Sequence, residues 1–134
     1  MKEPLISIQL HNRARAYEPG EMLSGECQID AVSPDDLRAL EISVLWYTDG
    51  KGDEDLSVHH FERHEQDTSG PLHELRQFST RLPKSPVSYE GAIIKIRWCV
   101  RIRIFLKQGK ELFAEQGFLM GKALRQRSLV GRGS

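Results

Sequence analysis

The sequence predicts an all-β chain, folded as a two-sheet antiparallel sandwich of about seven or eight short strands. Three observations carry that expectation. From Ile93 to Leu106 apolar and basic residues alternate at period two, with Ile94, Ile96, Trp98, Val100, Ile102, Ile104 and Leu106 on one face and Lys95, Arg97, Cys99, Arg101 and Arg103 on the other. Clusters of Gly, Pro, Asp and Ser then punctuate the chain between further alternating runs. Finally, no run keeps helical spacing over the roughly ten residues that a convincing helix needs.

Each element follows from local chemistry. Leu5 to Leu10 alternates as a first strand with Ile6, Ile8 and Leu10 inward. Tyr17-Glu18-Pro19-Gly20-Glu21 reads as a turn, because proline presets φ at the first central position and glycine accepts positive φ at the second. Leu23, Cys27 and Ile29 form the apolar side of the next strand, and Gly25 on that side predicts a close backbone approach or a bulge. Ser33-Pro34-Asp35-Asp36 resembles a helix start, but Leu40, Ile42, Val44 and Trp46 return to period two, so one helical turn precedes a strand over 39–47. Asp49 to Asp55 is a polar hairpin loop, and Leu56 to His64 is its return strand. A strand over 72–82 has Phe78, Thr80 and Leu82 inward, and Pro83 and Pro86 break it. After the long basic strand, Gln108-Gly109-Lys110 turns the chain into a last strand, Leu112 to Met120.

The 134 residues suit one domain over 1–121, followed by a basic, flexible tail over 122–134. Nineteen basic side chains balance nineteen acidic ones, so net charge points to neither nucleic acid nor an acidic shell. Two widely spaced cysteines, Cys27 and Cys99, do not make a disulfide scaffold. The N-terminal residues lack the long apolar stretch and small-residue site of a secretory leader, and nothing approaches the roughly 20 apolar residues of a membrane span. A cytoplasmic protein with at most peripheral membrane contact is expected.

Several motifs occur together in a known order. Tyr17-x-Pro19-Gly20-Glu21-x-Leu23-Ser24-Gly25 resembles the opening of arrestin-type N-terminal domains. The likeness continues in the strand from Arg38 to Val44, in Phe78-Ser79-Thr80-Arg81-Leu82-Pro83, and in Ser88-Tyr89-Glu90-Gly91-Ala92-Ile93-Ile94-Lys95 leading to Val100–Ile102. It spans roughly residues 5–120, and in these respects the chain is similar to the arrestin-like family in a single-domain version. That resemblance implies an immunoglobulin-like sandwich and a non-enzymatic scaffold that binds other proteins, often at membranes. The family's phosphate-sensing polar core lies between two sandwiches, so it is not carried over.

Candidate chemistry is sparse. The ladder Lys95, Arg97, Arg101 and Arg103 suits an acidic protein segment, a phosphopeptide or anionic headgroups, since arginine forks match carboxylate and phosphate. The favoured reading of the ladder itself is a solvated face balanced across the sheet by Glu41, Glu26 or Glu115, since opposite-charge cross-strand pairs are ordinary. Cys99 interrupts it, which leaves no aromatic platform for single-stranded nucleic acid. His59, His60 and His64, with His73 nearby, invite a metal or small ligand at the His59–His64 hairpin, but adjacent histidines point to opposite faces and no zinc spacing is present. Asp49, Asp53 and Asp55 miss the order of a calcium loop. Ser24 lacks a nucleophile motif, and Cys99, beside arginines, is a candidate for a depressed thiol pKa or an unremarkable surface or interface cysteine. Trp46 and Trp98 fall inward as core anchors.

The expected function is therefore a non-enzymatic interaction module needing no cofactor or metal. Its protein partner would sit on Lys95, Arg97, Arg101 and Arg103, with self-association through edge strands as a further expectation. The alternative is a metal- or small-ligand-binding protein using the histidine hairpin.

Overall fold

Two-residue alternation is realised as strands in two facing sheets. The structure, a computed structural model, describes residues 5–52, 54–66 and 71–121. Among these are nine strands: β1 Leu5–Leu10, β2 Ala16–Tyr17, β3 Met22–Asp30, β4 Leu37–Gly50, β5 Leu56–Glu65, β6 Arg76–Arg81, β7 Tyr89–Glu90, β8 Ile94–Leu106 and β9 Glu111–Met120. The small sheet has the order β1-β3-β6. The large sheet runs β2-β9-β8-β4-β5, with β7 beside the start of β8. The tail expected over 122–134 lies outside the described residues, as does Asp53.

Three details differ from the sequence reading. The two-residue strands β2 and β7 are too short to show any alternation. Strand β2 runs parallel to β9, so the large sheet is not wholly antiparallel. The strand expected over 72–82 forms only as Arg76–Arg81, because 71–75 turn to bury Leu72.

The turns hold for the reasons the residues suggested. Glu21 N donates to Glu18 O at 3.0 Å, with Gly20 at φ +85° between them. Pro34–Asp36 make a single 3₁₀ turn before β4. At Gly25 a Cβ would meet Gln9 O at 2.7 Å and Phe78 Cζ at 2.9 Å, which is the close approach expected there.

The inner face of the large sheet is built in rows across the strands. Leu112, Ile104 and Leu40 form one, Ala114, Ile102 and Ile42 the next, and Phe118, Trp98 and Trp46 close the end. Opposite them lie Leu10, Leu23, Cys27, Ile29 and Phe78 of the small sheet. Each fully buried large side chain contributes about 1.5–3 kcal/mol. Trp98 is anchored further by its Nε1–H, which donates to Pro86 O at 2.8 Å.

These apolar rows stop at β4. On β5 the corresponding inner positions are Ser57, His60, Glu62 and His64. Facing them from the small sheet is Arg76, whose guanidinium donates to His64 Nδ1 at 3.4 Å. One margin of the sandwich is therefore a polar seam. A bulge between Val44 and Leu45 leaves His59 as the extra residue of β5.

Candidate functional site

The outer face of the large sheet carries the basic ladder. Lys95, Arg97, Arg101 and Arg103 all stand on it, each beside a carboxylate. Lys95 reaches Glu90 at 3.1 Å, Arg97 Asp49 at 3.1 Å, Arg101 Glu115 at 2.6 Å and Arg103 Glu111 at 4.0 Å. Of the carboxylates named from sequence, Glu115 takes this part. Glu41 instead holds Arg63 at 2.6 Å, and Glu26 lies on the small sheet beside His11.

Strand register sorts this face into rows. Phe113, Arg103, Glu41 and Arg63 form one; Glu115, Arg101, Ser43 and Phe61 the next. The third, Gly117, Cys99, Leu45 and Val58, carries no charge at all. Arginines also lie over aromatic rings: Arg63 over Phe105 at 4.9 Å and Arg101 over Phe113 at 5.8 Å. Phe61 is 53 % exposed and Phe113 62 %. The face is thus a mixture of aromatic groups, paired charges and one apolar stripe.

Cys99 requires a correction. Alternation correctly turns it outward, yet it is only 3 % exposed, and Leu45 beside it is buried as well. Burial first, then the Glu115 charge, pushes its thiol up to about 12, against the opposing pull of Arg101. The shift is upward where a depressed thiol was a candidate, and the thiol is buried where a surface one was expected. Burial similarly raises Cys27 to about 11, with Arg76 opposing and Glu62 assisting. Neither cysteine is bridged.

The histidines are also rearranged. His60 Nε2 and His64 Nε2 share one carboxylate, lying 2.7 Å and 2.8 Å from the two oxygens of Glu62. Burial alone would raise the Glu62 pKa, but hydrogen bonds and charge from both imidazoles together bring it below its ordinary value. His59 does not point to the opposite face, as strict alternation required. The bulge turns it toward the small sheet, where Nε2–H donates to Arg81 O at 2.7 Å and the ring meets Trp98 edge-on at 6.3 Å. Among the described residues no group of three or more His, Cys, Asp or Glu is arranged to hold a metal ion. In the Asp49–Asp55 loop, Asp49 pairs with Arg97, while Thr48 and Asp55 close the hairpin by two hydrogen bonds.

One constellation was illegible in the sequence. His11 Nδ1 lies 3.0 Å from Ser24 Oγ, and His11 Nε2 lies 3.4 Å from Glu26 Oε1. The order resembles a nucleophile–base–acid chain. With 46 % of the His11 side chain exposed, however, water screens the contacts that would have to activate the hydroxyl.

Sequence reasoning also missed a cleft of about 510 Å³ on the outer face, where Arg15, Tyr47, Tyr89 and Leu119 surround Cys99 and Gly117. Arg97, Cys99, Glu115 and Tyr89 of its lining stood out in the sequence, but Arg15, Tyr47, Gly117 and Leu119 did not, because the cleft arises from the packing of β2 and β7 onto the sheet.

The chain matches no family profile and no curated protein. Among solved structures it resembles that of Spo0M, a sporulation control protein from Bacillus subtilis, with a TM-score of 0.64 and 16 % identity. The likeness covers 91 % of this chain and 51 % of the other, so the chain spans about half the length of the structure it matches. What is shared is the fold, an arrestin-like two-sheet sandwich. Among the described residues no helix is long and apolar enough to cross a membrane.

Proposed function

We propose that this chain is a non-enzymatic interaction module that receives a partner protein on the outer face of its large sheet. The observation that carries this reading is the make-up of that face, where Phe61 and Phe113 stand more than half exposed among arginines. Aromatic residues and arginine are the groups that protein interfaces collect and that dominate their energetics. Lys95, Arg97, Arg101 and Arg103 belong to the same surface. Exposed ion pairs are each worth about 0.2–1 kcal/mol, so an acidic or phosphorylated partner segment can displace their intramolecular carboxylates at small cost. The arrestin-like sandwich shared with Spo0M is compatible with a regulatory or adaptor role. Two unbridged, buried thiols suit a reducing compartment such as the cytoplasm.

The test is comparative affinity capture. Wild type, Phe61→Ser/Phe113→Ser, Arg101→Glu/Arg103→Glu and a small-sheet control, Met22→Ser, are used as baits after matching their melting temperatures. A protein retained by wild type and Met22→Ser but lost from both outer-face doubles supports the reading. Equal retention on all four baits contradicts it.

A further inference from the structure

Strand β8 changes partner at Arg97. Residues Trp98 to Phe105 pair with β9, Lys95 and Ile96 pair with β7, and on that side no described residue is in register with Arg97. The sheet is split at this point, and the split opens outward as the cleft of about 510 Å³. That volume lies within the range of about 300–1,000 Å³ typical of ligand sites. Its floor is Cys99 facing Gly117. The missing side chain of Gly117 keeps it open, since a Cβ there would meet only Trp98 O at an ordinary 3.7 Å.

The charges around the cleft are already balanced, with one exception. Glu115 is held by Arg101, Glu90 by Lys95 and Asp49 by Arg97. Arg15, at the mouth, has no carboxylate partner among the described residues. Its position is nonetheless fixed. Arg15 N donates to Asn12 O at 2.9 Å, and Leu119 N donates to Arg15 O at 2.9 Å. The Asn12 side chain ties down Ala14 N and Ala16 O on either side. This holds Arg15 at φ +53°, a left-handed conformation that a residue with a Cβ adopts only when its surroundings impose it. An unpaired guanidinium is thus presented to solvent beside an apolar floor.

We infer that this cleft is the anchor pocket for an extended partner segment, taking one bulky apolar side chain over Cys99 and Gly117 and a neighbouring aspartate or glutamate on Arg15. The inference rests on the interaction-module reading and names where such a partner is gripped. A peptide suits the cleft because the floor is apolar and the free charge at its mouth is a carboxylate-matching fork.

The probe is a phage-displayed library of random decapeptides selected on the full chain. The expected result is a set of binders pairing Asp or Glu with Phe, Tyr, Trp or Leu. Their affinity should fall at least tenfold with Arg15→Glu and with Gly117→Phe, which fills the pocket, and stay unchanged with Arg38→Glu. Both variants are first checked for wild-type melting, and Gly117→Leu replaces Gly117→Phe if the larger ring unfolds the chain. No binders, binders without acidic residues, or binders indifferent to both cleft variants would overturn the inference. If the Phe61→Ser/Phe113→Ser bait still loses its partner in that case, the outer-face reading stands and only the pocket falls.

Discussion

Cys99 and Gly117 face one another across the β8–β9 ladder, on the outer side of a sheet that no further strand or helix among the described residues covers. The thiol is buried all the same, and the glycine beside it leaves the gap that becomes the cleft. A two-residue rhythm that assigns every outward position to solvent does not anticipate this pair.

The first consequence is chemical. With its thiol raised to about 12, Cys99 should resist alkylation, and so should Cys27, raised to about 11. In the unfolded chain both ionise near the ordinary value of 9.0. Stability from these groups is therefore complete below pH 9 and lost as pH climbs through 9 toward the folded values. Iodoacetamide labelling at pH 8 should modify native protein far more slowly than urea-unfolded protein. Native labelling of Cys99 at the free-thiol rate would show that the outer face is open there.

Glu62 ties two histidines together at the seam. Glu62→Ala should lower unfolding free energy by about 1–2 kcal/mol, the range for losing hydrogen bonds to a charged group that is only partly buried. Because the native pKa of Glu62 is depressed, its contribution is present above about the ordinary carboxylate value of 4.5 and fades as pH falls through the lower folded value. Urea titrations at several pH values should show the gap between wild type and variant narrowing in acid. A gap that widens in acid would reverse the assignment.

Gly25→Ala places a methyl group 2.7 Å from Gln9 O and 2.9 Å from Phe78 Cζ, where backbone cannot yield cheaply. A loss of about 1–3 kcal/mol is expected from overpacking, read as a lower urea midpoint. An unchanged midpoint would mean β1 and β3 are not held as closely as described.

The Arg101–Glu115 pair should matter little to folding. A double-mutant cycle with Arg101→Gln and Glu115→Gln is expected to give a coupling of about 0.2–1 kcal/mol, as for other partly exposed pairs. A coupling of several kcal/mol would make the ladder a structural device and weaken its role as a binding surface.

How far the sequence could be read follows from how local each cause is. The inward order Trp98, Val100, Ile102, Ile104 and the Pro19-Gly20 turn depend on a few adjacent residues, and both were legible. The motifs from Tyr17 to Ile102 likewise led to the arrestin-like sandwich. Strands β2 and β7 depend instead on what they meet, β9 and β8, so two residues of each carried no signal. The cleft inherits that difficulty: Arg15 becomes notable only once β2 has placed it beside Leu119. The bulge at His59 defeated simple parity in the same way, by adding one residue to a ladder whose partner strand has none to match it. Lys95, Arg97, Arg101 and Arg103 were found by alternation, whereas Phe61 and Phe113 joined them only through register.

The most direct test of the account is hydroxyl-radical footprinting of the chain alone and with its captured partner bound. Binding to the outer face of the large sheet should protect Phe61, Phe113 and Tyr89 from oxidation while Leu5 and Met22 on the small sheet keep their reactivity. Protection of Leu5 and Met22, with Phe61 and Phe113 oxidised as before, would contradict it.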